Sequence, residues 1–252
     1  MENLKYFPTT ERENYLTSLN DYTDTFGLDD SKIKIAKRIL NCFENDSASP
    51  ETDYSSIYIY RDGNNDRKQV TLARGFTQDG GNLWKVLESY INKNGTYASF
   101  FSGYQNKMSN GSLWQDKDFI NTLIKASKED QLMRDAQDEI FDKIYLSGAL
   151  KYFKTKGFSL PLSFAVIFDS TLQSGSVLSF LIKRFPEKLP SNGGNEKKWV
   201  SQYVDTRHKW LTKHSNEAVR NSSYRTKFFL GELDKKNWNM DCPLIANNSK
   251  VC

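Results

Sequence analysis

A chain of 252 residues can bury a sizeable core, as one large domain or as two lobes around a shared cleft, so an enzyme is physically possible. Its net charge of +4 is spread without a dense Lys/Arg run, which argues against a nucleic-acid partner. No stretch reaches the roughly 18 to 20 consecutive apolar residues of a membrane helix, and "MENLKYFPTT" lacks the apolar run of a signal peptide.

Residues 1–29 are polar with a few aromatics and read as a lead-in with one short helix; residues 30–252 read as a single domain of two lobes. Asp30-Ser31 is expected to cap a helix in which Ile33, Ala36, Ile39, Leu40 and Phe43 recur at three- and four-residue spacing. Glu44 sits at its end, and "ENDSASPETD" follows as a turn-rich loop that Pro50 keeps from being helical. "SSIYIY" (Ser55 to Tyr60) and "KQVTLA" (Lys68 to Ala73) are β-favouring runs around "RDGNNDR", a hairpin with Asp62 at its rim. "DGGNLWKVLESYI" opens the next helix after two glycines.

From about Asp116 onward nearly everything is expected to be helical: Lys117 to Ser127, Glu129 to Lys156, "LPLSFAVIFDSTLQSG", "VLSFLIKRF", "EKKWVSQYVDTRHKWLTKH" and "SSYRTKFFLGEL". Leu162 to Phe168 is the most apolar run and should be the central buried helix. The predicted fold is α+β and predominantly α-helical, with a small hairpin or sheet beside a cleft.

Cys42, Cys242 and Cys252 leave two readings open: a Cys242–Cys252 bridge in an oxidising compartment, or three reduced thiols. With His208 and His214 the only histidines and no zinc spacing, neither a His-based triad nor a metal site is expected. Gly80-Gly81 lacks the Lys-Ser/Thr of a phosphate-binding loop and reads as a tight turn.

Glu44 and Asp62 occupy environments that differ in a chemically useful way. A Glu at a helix end beside Phe43 is partly desolvated and suits a proton donor, whereas an Asp on a wet hairpin rim suits a base. Glycosidic-bond hydrolysis needs such a pair. Between Glu44 and Glu88 there are eight acids and five bases, a net of −3, so a cleft lined by this region would be locally acidic. Tyr58, Tyr60, Tyr104, Trp114 and Trp199 are candidates to stack on sugar rings, with the core as the competing destination of each.

The helix ending in "FEN", the aromatic strand running into "DG", and the Thr-bearing strand with "GFT" before glycines resemble the family 46 chitosanases. So do "AQDEIFDKIYLSGALKYFKTKGFSLPLSFAVIFDSTLQSG", "YVDTRHKWL" and "SSYRTKFFLGEL", which together carry the similarity over roughly residues 31–245. The resemblance implies a two-lobed lysozyme-like fold and an endo-acting, inverting glycoside hydrolase of β-1,4-linked amino-sugar polymer, chitosan first. It makes Glu44 the general acid, Asp62 the base, with Asp66 as rival on the same turn, and Thr71 the residue that orients water, with Thr77 as fallback. Tyr60, Arg61, Asp66 and Thr77 become candidates for gripping substrate, and Asp169, Arg207 and Arg225 a network behind the acid. Gln173 and Gly175 are assigned to the cleft floor or to packing.

No metal or organic cofactor is called for. A polysaccharide partner points to a secreted or exported protein, although the chain as given shows no export signal. "DGNNDRKQVT" is several residues longer than the family's Asp-Gly-Arg-Gly-Tyr-Thr. That insertion, the positive net charge and the missing signal peptide favour one alternative, a peptidoglycan-cleaving muramidase, with an immunity or inhibitor protein as partner if it is an antibacterial effector; an inactive glycan-binding relative is a further alternative of a different class.

Overall fold

The structure, a computed structural model, describes residues 28–45, 48, 54–109 and 112–252. The expected lead-in lies outside the described residues apart from Leu28 and Asp29, as does most of the loop after Glu44. The chain forms two compact units, one of Met1–Ala48 with Tyr145–Cys252 and the other of Ser49–Ile144.

Helix α1, Asp30–Asn45, belongs to the first unit. Its cap is Asp29 rather than the expected Asp30-Ser31: the Asp29 carboxylate accepts from the Ser31 hydroxyl at 2.6 Å and from the Lys32 N–H at 2.9 Å. Ile33, Ala36, Ile39, Leu40 and Phe43 are all buried, as their spacing predicts.

The second unit opens with β1, Ile57–Tyr60, antiparallel to β2, Gln69–Leu72, which also pairs with β3, Phe76–Thr77. Both predicted strands are shorter than expected, and β3 is an addition, formed because "GFT" turns back onto β2. Tyr58 lies opposite Thr71, Tyr60 opposite Gln69, and Thr71 opposite Thr77. Every residue of β2, the central strand, is buried.

Helices α2 (Asn82–Asn92), α3 (Ala98–Ser102), α4 (Lys117–Glu129) and α5 (Gln131–Phe141) complete this unit, with α2 packed on α5. Phe101 meets Tyr90 and Phe119 edge-on in its core. The break expected at Lys128, between the helices Lys117 to Ser127 and Glu129 to Lys156, falls at Asp130 instead. Its carboxylate caps α5 through Leu132 N–H at 2.9 Å and accepts from Tyr90 Oη at 2.6 Å and Thr96 N–H at 2.8 Å. A short acidic side chain with such partners favours a boundary over a helix interior.

A π-helical turn, Asp142–Leu146, carries the chain back to the first unit and into α6, Ser147–Thr155. Helix α7, Pro161–Ser174, is buried at every residue from Pro161 to Thr171, the central helix that its composition predicts. Gly175, at φ 73°, ends it in the left-handed conformation that glycine adopts without strain. "VLSFLIKRF" yields one turn, α8 (Ser179–Ile182), followed by α9 (Glu196–Thr212), α10 (Glu217–Asn221) and α11 (Tyr224–Asp234).

Helix α7 packs against α1, α6 and α9, and α9 against α11. A terminal hairpin of β4 (Ile245–Ala246) and β5 (Ser249–Lys250) lies within the loop closed by the Cys242–Cys252 disulfide, the first of the two cysteine readings. Cys42 is a buried thiol in α1.

Candidate active site

In the first unit, Glu44 stands one residue before the end of α1 with its side chain 37% exposed. Phe43, just before it, is wedged edge-on between Tyr224, Phe228 and Phe229, and its carbonyl accepts from the Tyr224 hydroxyl. That clamp fixes the end of α1. One Glu44 carboxylate oxygen accepts from Arg225 Nη2 on α11.

Arg225 also donates through Nη1 to Asp169 Oδ1 at 2.7 Å, and Asp169 Oδ2 accepts from Arg207 Nη1 at 2.6 Å. Arg207 reaches on to Gln173, whose amide donates to Ser222. The four residues proposed as an acid and its backing network, Glu44, Asp169, Arg207 and Arg225, are thus one connected chain of ionic hydrogen bonds.

The sequence buries this chain for simple reasons. Helix α7 is apolar all round, so an Asp within it has no exposed side to turn to, and Asp169 has no exposed side-chain surface. Burial pushes its carboxyl pKa upward, with Arg207 opposing, and pushes Arg225 down to about 10. Each shift disfavours charge, yet two guanidinium donors at 2.6 and 2.7 Å are the geometry of an ionised carboxylate. The Arg225 guanidinium also lies 5.3 Å from the Phe43 ring.

In the second unit, Asp62 follows β1 and is exposed. Its Oδ1 accepts from Gln69 Nε2 at 3.0 Å. Gln69 is itself buried, and its Oε1 accepts from Asp79 N–H at 2.9 Å. Asp79 in turn takes Arg67 in a two-point ion pair and the Asn64 N–H at 2.7 Å. The Arg67 guanidinium holds the Asp79 carboxyl below the usual carboxylate range.

Gly63 is required here by close approach: a Cβ on it would lie 2.4 Å from Asp79 Oδ2 and 2.9 Å from the Arg67 carbonyl. The turn after Asp62 is therefore wrapped around Asp79, and it closes with Gly63 N–H on the Arg67 carbonyl at 3.0 Å.

The rival acid, Asp66, is exposed and joined to Arg61, whose Nε donates to its carbonyl at 3.0 Å. Thr71 shares a face of β2 with Gln69, two residues away, and Thr77 sits opposite it on β3. The Thr71 hydroxyl is buried and has no hydrogen-bond partner among the described residues. Tyr60 is 54% exposed and stacks on Tyr58 with ring centroids 5.7 Å apart. Trp199 and Tyr104, offered as sugar-stacking candidates, are buried core residues instead, since each is surrounded by other aromatic rings.

The Glu44 chain belongs to the first unit and the Asp62 set to the second. Sequence reasoning missed Gln69, Arg67, Asp79 and Tyr224. Only Gln69 left a trace, as a polar residue on the face that Thr71 shares in a β-favouring run. Among the described residues no cluster of His, Cys, Asp or Glu is arranged to hold a metal.

Comparison with known proteins gives a consistent result. The sequence model of glycosyl hydrolase family 46 matches residues 38–244. The chain is 26% identical over 242 residues to a chitosanase of Bacillus subtilis (strain 168), covering 89% of this chain and 84% of that protein. The fold is similar to native chitosanase from Bacillus subtilis MY002, with a TM-score of 0.74 and 22% identity, covering 89% of this chain and 98% of the other. A family 46 chitosanase of Gynuella sunshinyii, solved with chitotetraose, gives 0.73 at 19% identity over 88% of this chain and 96% of the other.

Proposed function

The chain belongs to glycosyl hydrolase family 46, and from that membership we propose that it is an endo-acting, inverting chitosanase with Glu44 as general acid and Asp62 as general base. The observation that carries the reading is the Glu44–Arg225–Asp169–Arg207 chain, which fixes one carboxyl at the end of α1 by a guanidinium anchored in the core.

Inversion takes one step. Asp62 accepts a proton from a water whose oxygen bonds to the anomeric carbon on the face opposite the leaving group. The glycosidic C–O bond breaks as Glu44 gives its proton to the departing oxygen. The negative charge that this leaves on the Glu44 carboxylate is stabilised by the hydrogen bond it accepts from the Arg225 guanidinium. Gln69 aims Asp62, and the unpaired buried hydroxyl of Thr71 favours it over Thr77 as the group that orients the water. Tyr60, exposed beside Arg61 and Asp66, is a surface for a sugar ring.

Chitosan is the substrate favoured by the named relatives and by the segment from Glu44 to Glu88, whose net of −3 suits an ammonium-bearing polymer. The Cys242–Cys252 bridge supports an oxidising, extracellular destination. Among the described residues, no helix is long and apolar enough to cross a membrane.

The +4 net charge and the lengthened turn after Asp62 favour a second reading, cleavage of peptidoglycan. Under that reading an antibacterial role and an immunity partner would follow. Incubation with chitosan and with purified peptidoglycan, followed by mass spectrometry of the soluble sugars, separates the two. Glucosamine oligomers that vanish with Glu44→Gln are the expected result; muropeptides alone would move the substrate to the cell wall.

A further inference from the structure

Helix α9 contributes Arg207 to the buried network from one side and builds a second feature on the other. Residues 202, 205, 206, 209, 210 and 213 recur at three- and four-residue spacing, on the side away from the buried Tyr203, Arg207 and Leu211. With residues 184–186 and 214–215 they line a groove of about 720 Å³.

Three cations face it, Arg184, Lys209 and Lys213, against one carboxylate, Asp205. Asp205 answers Lys209 at 2.7 Å, while Arg184 and Lys213 are exposed and have no ion-pair partner among the described residues. The aromatic wall is Trp210, which meets Phe180 edge-on at 5.5 Å and His214 at 5.1 Å. Phe180 is 40% exposed, and the Arg184 guanidinium lies 5.2 Å from its ring.

A groove with surplus positive charge repels a glucosamine polymer, so it is no extension of the substrate surface proposed above. Its cations call for an anion, and its aromatic wall calls for a ring to lie against it. We propose that this groove binds an acidic polysaccharide, one whose sugar rings carry carboxylates. This goes beyond the chitosanase reading and gives the enzyme a means of targeting. A cationic polymer draws acidic polymers to itself by charge, and an enzyme that grips the acidic partner is held where its substrate lies.

The test uses the Glu44→Gln protein, so that no polymer is cut, and isothermal titration at low ionic strength with oligogalacturonate, neutral dextran oligomers and linear polyphosphate. Oligogalacturonate should bind, dextran should not, and polyphosphate should bind more weakly. Arg184→Glu/Lys213→Glu, both at exposed positions, should weaken oligogalacturonate binding by more than about tenfold. Trp210→Ala should weaken it also, and the charge reversals decide the matter if that variant melts early.

Absence of oligogalacturonate binding, binding unchanged by the reversals, or polyphosphate bound as tightly would overturn the proposal. In the active protein the double reversal should leave chitosan hydrolysis unchanged, and a loss there would assign the groove to the substrate surface and overturn it too. A protein inactive on chitosan that still binds oligogalacturonate through Arg184 and Lys213 would sink the chitosanase reading and leave this one standing.

Discussion

An aspartate with no exposed surface, such as Asp169, has given up its hydration, and two guanidiniums supply the hydrogen bonds that water no longer does. Removing its charge strands Arg207 and Arg225 in the core. Asp169→Asn should therefore cost about 3–5 kcal/mol in denaturant unfolding. Glu44 stands at the exposed end of the same chain, so Glu44→Gln should leave the unfolding midpoint close to wild type while cutting chitosan hydrolysis by roughly 10²- to 10⁴-fold. Equal stability losses in the two variants would contradict that division of roles. Gln69→Leu tests the other half: with Asp62 losing its buried donor, kcat should fall about tenfold with KM little changed, and a change confined to KM would make Gln69 a substrate-binding residue. Glu44, Asp169, Arg207 and Arg225 were legible because each sits in a recognisable block at a helix end or on a helix face. Gln69, Arg67 and Asp79 were not, because they assemble across a turn and no periodicity links residues 62, 67, 69 and 79.

Among the elements, helices were read more reliably than their breaks. The burial of α7 follows from composition alone, and the apolar spacing of α1 placed its buried face correctly. The break expected at Lys128 falls two residues later, at Asp130, because what sets it is tertiary: Tyr90 and the Thr96 N–H lie 40 and 34 residues away in sequence. Burial raises the Asp130 carboxyl pKa, but its hydrogen bonds from Tyr90, Thr96 and Leu132 outweigh this and leave it below the ordinary value. A carboxyl whose folded pKa lies below its unfolded value of about 3.9 stabilises fully above that pH, and the contribution is lost as pH falls through the folded value. Asp130→Ala should accordingly be about 2 kcal/mol less stable than wild type at pH 6. The gap should narrow as unfolding is repeated toward pH 2.5, and a gap constant across that range would show that the charge of Asp130 contributes nothing.

At the scale of the whole molecule, charge distribution matters more than its total. The chain is basic at +4 while its segment from Glu44 to Glu88 is acidic at −3, so the proposed cationic substrate and the proposed acidic ligand would meet parts of the chain of opposite charge. Family membership and the lysozyme-like α+β fold were legible from the order of the blocks, which local spacing alone would not have supplied. Glu44 and Asp62 are proposed to act as the acid and base of a single displacement by water. Proton NMR of a chitosan oligosaccharide digest, read before mutarotation, tests it most directly. The α-anomer should appear first with the wild-type protein, and no anomer should appear on the same timescale with Glu44→Gln or Asp62→Asn. Initial appearance of the β-anomer, or cleavage undiminished in either variant, would contradict the account.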